Sequence, residues 1–136
     1  MLKAYTDGSY NVKTGQYGFG IVILDDTEVL IAKSYQGCPY YAHYRNVAGE
    51  VDAVKNALLY ALHTNSDITI YADYEGVIKW ARGEWKCNNE LTQGYKNLVD
   101  FVSSHIKVDF VKVKAHSGDF YNSMVDKLAK KGAGMK

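Results

Sequence analysis

Tyr5-Thr6-Asp7-Gly8-Ser9 sets a carboxylate where an apolar run meets a glycine, and the segments on either side decide how that junction is read. Residues 2–6 and 18–24 are β-branched, aromatic or small, and a Gly- and Asn-containing stretch around Asn11 to Gln16 separates them. Two such runs joined by turn residues read as a hairpin. A third run, residues 29–35, follows the polar break Asp25-Asp26-Thr27-Glu28, so three antiparallel strands are expected, with Asp7 where the first strand gives way to a turn.

Beyond the third strand the period changes. Val47, Val51, Val54, Leu58, Ala61 and Leu62 recur at three- and four-residue intervals, which predicts an amphipathic helix ending near Asn65, with Glu50 in its first turn and facing inward. Residues 68–72 form a short apolar strand with Asp73 at its C-terminal end; residues 76–80 predict a helix that stops near Gly83. Leu91, Tyr95, Leu98 and Val102 mark another helix, residues 108–113 a strand, and Val125, Leu128 and Ala129 a final helix carrying Asp126 four residues after Asn122. The expected fold class is α/β: one domain over residues 1–136, with a five-stranded mixed sheet of three antiparallel strands and then parallel ones, and helices packed on both sides. If the strand after the long helix pairs beside the first strand, Asp7 and Asp73 become neighbours.

At 136 residues and 47% hydrophobic composition the chain can bury a sizeable core. No charged-then-apolar leader opens it and no apolar run approaches the roughly 20 residues that span a bilayer, so a cytoplasmic, monomeric protein without membrane contact is expected. Cys38 and Cys87 lack metal-site or redox spacing and read as reduced thiols. Residues 1–76 hold 5 Lys/Arg against 9 Asp/Glu, whereas residues 77–136 hold 11 against 6. Such asymmetry suits a protein that gathers cations at one place and grips a polyanion at another, although chance gives the same count.

Asp7, Glu50, Asp73 and Asp126 each adjoin an apolar segment, where an unpaired carboxylate is costly. Singly, each has an ordinary explanation: Asp7 as a turn residue, Glu50 as complement to a helix N-terminus, Asp73 as a helix cap, Asp126 as an exposed acid. Together they make a set of hard oxygen donors for divalent cations, which points to metal-dependent phosphoryl chemistry.

The strings that carry these acids resemble those of type 1 ribonuclease H. Tyr5-Thr6-Asp7-Gly8-Ser9 is similar to the family's first-strand motif, Asn46 through Glu50 to the start of its glutamate-bearing helix, and Ile70 to Asp73 to its fourth strand. Lys114-Ala115-His116-Ser117-Gly118-Asp119, with Asn122 and Asp126 after it, resembles the C-terminal histidine loop and last acid. The motifs keep their order from Lys3 to Ala133. The resemblance implies a ribonuclease H-like fold and an endonuclease that cuts the RNA strand of RNA–DNA hybrids, leaving 3′-hydroxyl and 5′-phosphate ends. It implies two Mg²⁺ ions, with Mn²⁺ as a substitute, held by Asp7, Glu50, Asp73 and Asp126. His116 would assist proton transfer or product departure.

Substrate contacts implied in the same way are Gly8, Ser9 and Asn46, with Trp80 and Trp85 on an aromatic and basic surface that also holds Lys79, Arg82 and Lys86; core packing is the alternative for Trp80. His43 and Arg45, in an aromatic segment with Tyr40, Tyr41 and Tyr44, are candidate phosphate contacts. Two departures stand out. Tyr74 and Glu75 follow the third acid where better-known bacterial members have serine and glutamine, and no long basic helix lies between Trp85 and Leu91. A junction-cutting nuclease of the same broad fold and a non-catalytic hybrid-binding module are the competing functions; motif order argues against the first and the full set of acids against the second.

Overall fold

The computed structural model describes residues 1–114 and 119–135. Its chain order is β1 (Leu2–Asn11), β2 (Gln16–Leu24), β3 (Val29–Gln36), a 3₁₀ segment (Pro39–Tyr44), α1 (Asn46–His63), β4 (Ile68–Ala72), α2 (Glu75–Ala81), α3 (Glu90–Ser103), β5 (Val108–Lys112) and α4 (Phe120–Gly132). The five strands form one mixed sheet in the order β3-β2-β1-β4-β5. β1, β2 and β3 pair antiparallel, while β4 and β5 are added parallel through helical crossovers, as the change of period implied. No helix among the described residues is long and apolar enough to cross a membrane.

Strand alternation sorts the core into two layers. Ala4, Ile21, Ile23 and Ile70 face α1, whose Val51, Val54, Ala57, Leu58 and Ala61 are fully buried, and α3 closes this layer with Tyr95, Val99 and Val102. Tyr5 and Val22 point the other way and meet Val125 of α4 in a smaller cluster bordered by Tyr71, Tyr121, Met124 and Leu128. Helices therefore cover both faces. Tyr95 ties α3 to α2 by donating its hydroxyl to the Val77 carbonyl at 2.6 Å. The buried Tyr17 hydroxyl donates to Asp52 Oδ2 at 2.6 Å and accepts from the Cys38 N–H at 3.1 Å, fastening the chain before the 3₁₀ segment to β2 and α1.

Two expected boundaries differ. β1 does not end at Thr6 but runs to Asn11, pairing throughout with β2, so Asp7 lies inside a strand opposite Gly20 rather than at a turn. What stops at Thr6 is the parallel pairing with β4, whose last partners are Thr6 and Ala72. Glu50 lies in the second turn of α1 rather than the first, because the helix begins at Asn46.

Close backbone approach explains why weak strand formers occupy β1 and β2. A Cβ on Gly8 would lie 2.3 Å from the Glu50 nitrogen, and one on Gly20 would lie 2.7 Å from the Leu128 Cβ and 2.9 Å from the Val125 carbonyl oxygen. Only glycine lets α1 and α4 sit this near the sheet.

Candidate active site

Where β1 and β4 part company, their next residues are Asp7 and Asp73, side by side across the parallel pair. α1 crosses this point with its backbone against Gly8, which brings Glu50 to the same place. Asp7, Glu50 and Asp73 each present a carboxylate oxygen within 4.8 Å of the others. Asp7 and Glu50 are buried, at 6% and 5% exposure, while Asp73 is half-exposed at the mouth.

The Gly8 N–H donates to both buried acids, to Asp7 Oδ1 at 2.9 Å and to Glu50 Oε1 at 2.8 Å. One backbone donor cannot offset two buried negative charges. Burial, with the charge of Asp73 behind it, pushes the Asp7 carboxyl up to about 7 against its ordinary value of 3.8, while the hydrogen bonds from Glu50 and Gly8 pull the other way. Glu50 is raised well above the usual carboxylate range, first by burial and then by Asp7 and Asp73. Three hard oxygen donors in a cluster that resists its own ionisation fit a divalent cation, whose charge would relieve the strain.

Asp126 stands at the rim. It is half-exposed, pairs with Lys130 at 3.1 Å and shares with Asp73, Asn122, Ser123 and Lys127 a cleft of about 170 Å³. Its charge still raises Asp7. Asp119 caps α4 by accepting from the Tyr121 and Asn122 N–H groups at 2.9 and 3.0 Å, which fixes where Asn122 and Asp126 fall on that helix. Asn122, buried in the cleft, lies four residues before Asp126 on one helix row, the spacing that marks it in the sequence. Nothing in the sequence singled out Lys127.

The other expected site residues divide by position. Gly8 spends its N–H on the acids, and the Ser9 hydroxyl contacts Met135 Sδ at 3.5 Å. Asn46, Arg45 and His43 are exposed at the N-terminal end of α1. Arg45 adopts φ 58° and ψ −134°, a backbone region costly for any residue but glycine, and its guanidinium lies over the Tyr10 ring at 5.7 Å. His116 lies outside the described residues.

Trp80 is half-buried against the main core and meets the more exposed Trp85 edge-on at 5.8 Å. The two rings line an open groove with Lys86, Asn88, Asn89 and Thr92. Of the expected cations nearby, Lys79 is engaged by Glu84 at 3.0 Å and Glu75 at 3.7 Å, and Arg82 donates to the Phe110 carbonyl at 3.4 Å. Tyr74, 6.0 Å from Trp80, connects this groove to the acids: burial raises its phenol first, and the charge of Glu50 adds to it.

Comparison with known proteins bears on the family and the fold. The family model described as RNase H matches residues 1–134. Among curated proteins, Ribonuclease H of Chlorobium luteolum is 29% identical over 95% of this chain and 92% of its own length. Ribonuclease H of Polaromonas sp. is 33% identical over 94% and 85%. Among solved structures, RNase H1 from the halophilic archaeon Halobacterium salinarum superposes with a TM-score of 0.79 at 20% identity, covering 98% of this chain and 97% of that one. LC11-RNase H1, solved in complex with an RNA/DNA hybrid, gives 0.78 at 17% identity with the same coverage. At these identities the two structures bear on the fold alone.

Proposed function

The chain belongs to the RNase H family, and from that premise we propose that it is an endoribonuclease that hydrolyses the RNA strand of RNA–DNA hybrids, leaving 3′-hydroxyl and 5′-phosphate ends. The observation that carries the reading is the meeting of Asp7, Glu50 and Asp73 oxygens within 4.8 Å at the junction of β1, β4 and α1. These three, with Asp126 from the rim, would hold two Mg²⁺ ions, or Mn²⁺ in their place. Such ions supply an activated water and neutralise charge on the leaving oxygen.

The chain's own residues do the rest. The Gly8 N–H holds the Asp7 and Glu50 carboxylates in a fixed relation, so that little reorganisation is needed when a cation arrives. Asp73, half-exposed, would be the first of the three acids to meet an approaching phosphodiester. His116 would carry a proton to or from the reacting oxygens, a task to which an imidazole side chain is suited. The hybrid would run over the acids with one strand along Trp80 and Trp85 and phosphates met by Asn46, Arg45, His43 and Ser9. Lys79 is paired with Glu84, whereas Arg82 keeps its charge and Lys86 lines the groove, so binding should draw on phosphate contacts and weaken as salt rises. Monomeric action and a cytoplasmic setting, where Cys38 and Cys87 stay reduced, belong to the same proposal.

Incubation with a labelled hybrid and Mg²⁺ or Mn²⁺ tests it. Short RNA fragments are expected, and Asp73→Asn should stop cleavage while the circular-dichroism spectrum is unchanged. Intact RNA with the unaltered protein overturns the reading; cutting of DNA junctions but not hybrid would transfer it to a different nuclease activity.

A further inference from the structure

α4 is clamped to the sheet, which sets where each of its side chains emerges. A Cβ on Gly20 would lie 2.7 Å from the Leu128 Cβ, one on Gly18 would lie 2.1 Å from the Gly132 carbonyl carbon, and the Ser34 hydroxyl donates to the Leu128 carbonyl at 2.7 Å. Three lysines follow Asp126 on this helix, and their surroundings differ. Lys130 is taken up by Asp126 at 3.1 Å. Lys131 lines an apolar groove with Phe120, Met124 and Leu128 but not the cleft of the acids. Lys127 lines both that groove and the cleft of about 170 Å³ that holds Asp73, Asn122 and Asp126. It is exposed, and it has no ion-pair partner among the described residues.

A lysine on such a divide can lay its methylenes along the apolar wall and keep its ammonium in water on the polar side. The charge there has a use. Asp7, Glu50, Asp73 and Asp126 gather negative charge at one place, which repels a polyanion laid across them. The linkage over the acids is the one cut, and the phosphates beside it have to pass the cleft wall. Asn122 and Ser123 offer that wall only neutral dipoles; among the described residues lining the cleft, Lys127 alone is a cation. A lysine ammonium is a compact charge on a flexible stem, suited to a phosphate whose position shifts along a backbone.

We propose that Lys127 is a substrate contact whose ammonium takes a phosphate of the cut strand beside the scissile one. The inference rests on the hybrid-cleaving function above. It adds a grip on the α4 wall that shares no residue with the groove of Trp80 and Trp85, and a contact of this kind positions the duplex without reading its sequence.

Lys127→Gln and Lys131→Gln remove the same charge from the same helix, and only the first lies in the cleft. Fluorescence anisotropy of a labelled hybrid in EDTA, over a series of salt concentrations, compares them. Lys127→Gln is expected to bind roughly 3- to 10-fold more weakly at ~0.1 M salt, with a salt dependence shallower by about one phosphate contact. Lys131→Gln should stay close to the unaltered protein, and Lys127→Arg should restore the affinity. In Mg²⁺, Lys127→Gln should raise KM by a similar factor and leave kcat little changed. Methylphosphonates in the RNA linkages flanking a mapped cut remove the phosphate charge, and their penalty should not add to that of Lys127→Gln; the same change in the DNA strand should add. Equal losses in the two glutamine variants, an unchanged salt dependence, or full additivity in the RNA strand overturns the proposal. A hybrid held through Lys127 but left intact in Mg²⁺ would leave this inference standing and remove the catalytic one.

Discussion

Asp7→Asn should make the metal-free protein more stable while destroying its activity. In the folded chain the Asp7 carboxyl titrates at about 7, against an ordinary value of 3.8. Between those values the native state holds a proton that the unfolded chain has released. Stability without metal therefore falls as pH rises through this window, and the whole penalty is present above it. At about 1.4 kcal/mol for each unit, the ceiling at pH 8 is on the order of 4 kcal/mol. Asn keeps the oxygen that accepts from the Gly8 N–H and removes the charge. Because Asp7 and Glu50 share the repulsion, about 2–4 kcal/mol should be recovered at pH 8, on the order of 10 °C in Tm, and little at pH 4.5. Urea denaturation in EDTA at both pH values measures the gain. Adding millimolar Mg²⁺ should then stabilise the unaltered protein but not the variant. A variant no more stable at pH 8, or equally stabilised at both pH values, would refute the account of the acids as a strained, cation-seeking cluster.

Other substitutions probe the supports. Gly8→Ala must push α1 away from β1, and since a displacement near 1 Å can cost about 100-fold in rate, hybrid cleavage should fall by at least that much with only a partial loss of helical signal. Tyr17→Phe leaves the half-buried Asp52 carboxylate and the Cys38 N–H without their shared partner and should cost about 1–3 kcal/mol by urea denaturation, with cleavage retained under native conditions. Asp119→Ala removes the cap of α4 and should cost about 1 kcal/mol while raising the Mg²⁺ concentration needed for half-maximal rate, because Asp126 rides on that helix. Arg45→Gly relaxes a strained backbone but removes a cation, so stability should hold or rise while hybrid affinity drops and its salt dependence becomes shallower by about one phosphate contact.

The architecture was legible because each element advertises its period: the meander through its apolar runs, α1 through Val47, Val51, Val54 and Leu58. The error at β1 has a physical source. Gly8 looks like a turn residue in a local window, yet it lies in a strand whose neighbouring helix backbone leaves no room for a side chain, a tertiary demand that no local propensity expresses. Asp7, Glu50 and Asp73 could be assembled from strand order and helix row. Asp126 could not be placed so firmly, and its position at the rim, paired with Lys130, shows why: its helix face is partly solvent. The strained conformation of Arg45 has no sequence signature, since arginine gives no hint of a positive φ.

The glycine contacts at β1 and β2 also bear on how this protein can change. Gly8 abuts the main chain of α1 and Gly20 that of α4, so the elements bearing Glu50 and Asp126 are indexed to the sheet by main-chain atoms, which substitution cannot trim. The fully buried core around Ile68 and Val102 has no such main-chain contact with the acids, so a change of a methylene there is expected to move α3 more than the span between the carboxylates. Evolutionary drift in the interior is thereby insulated from the chemistry. A library randomised at those core positions should lose thermal stability long before it loses the ability to cleave, whereas one randomised at the two glycines should lose both at once.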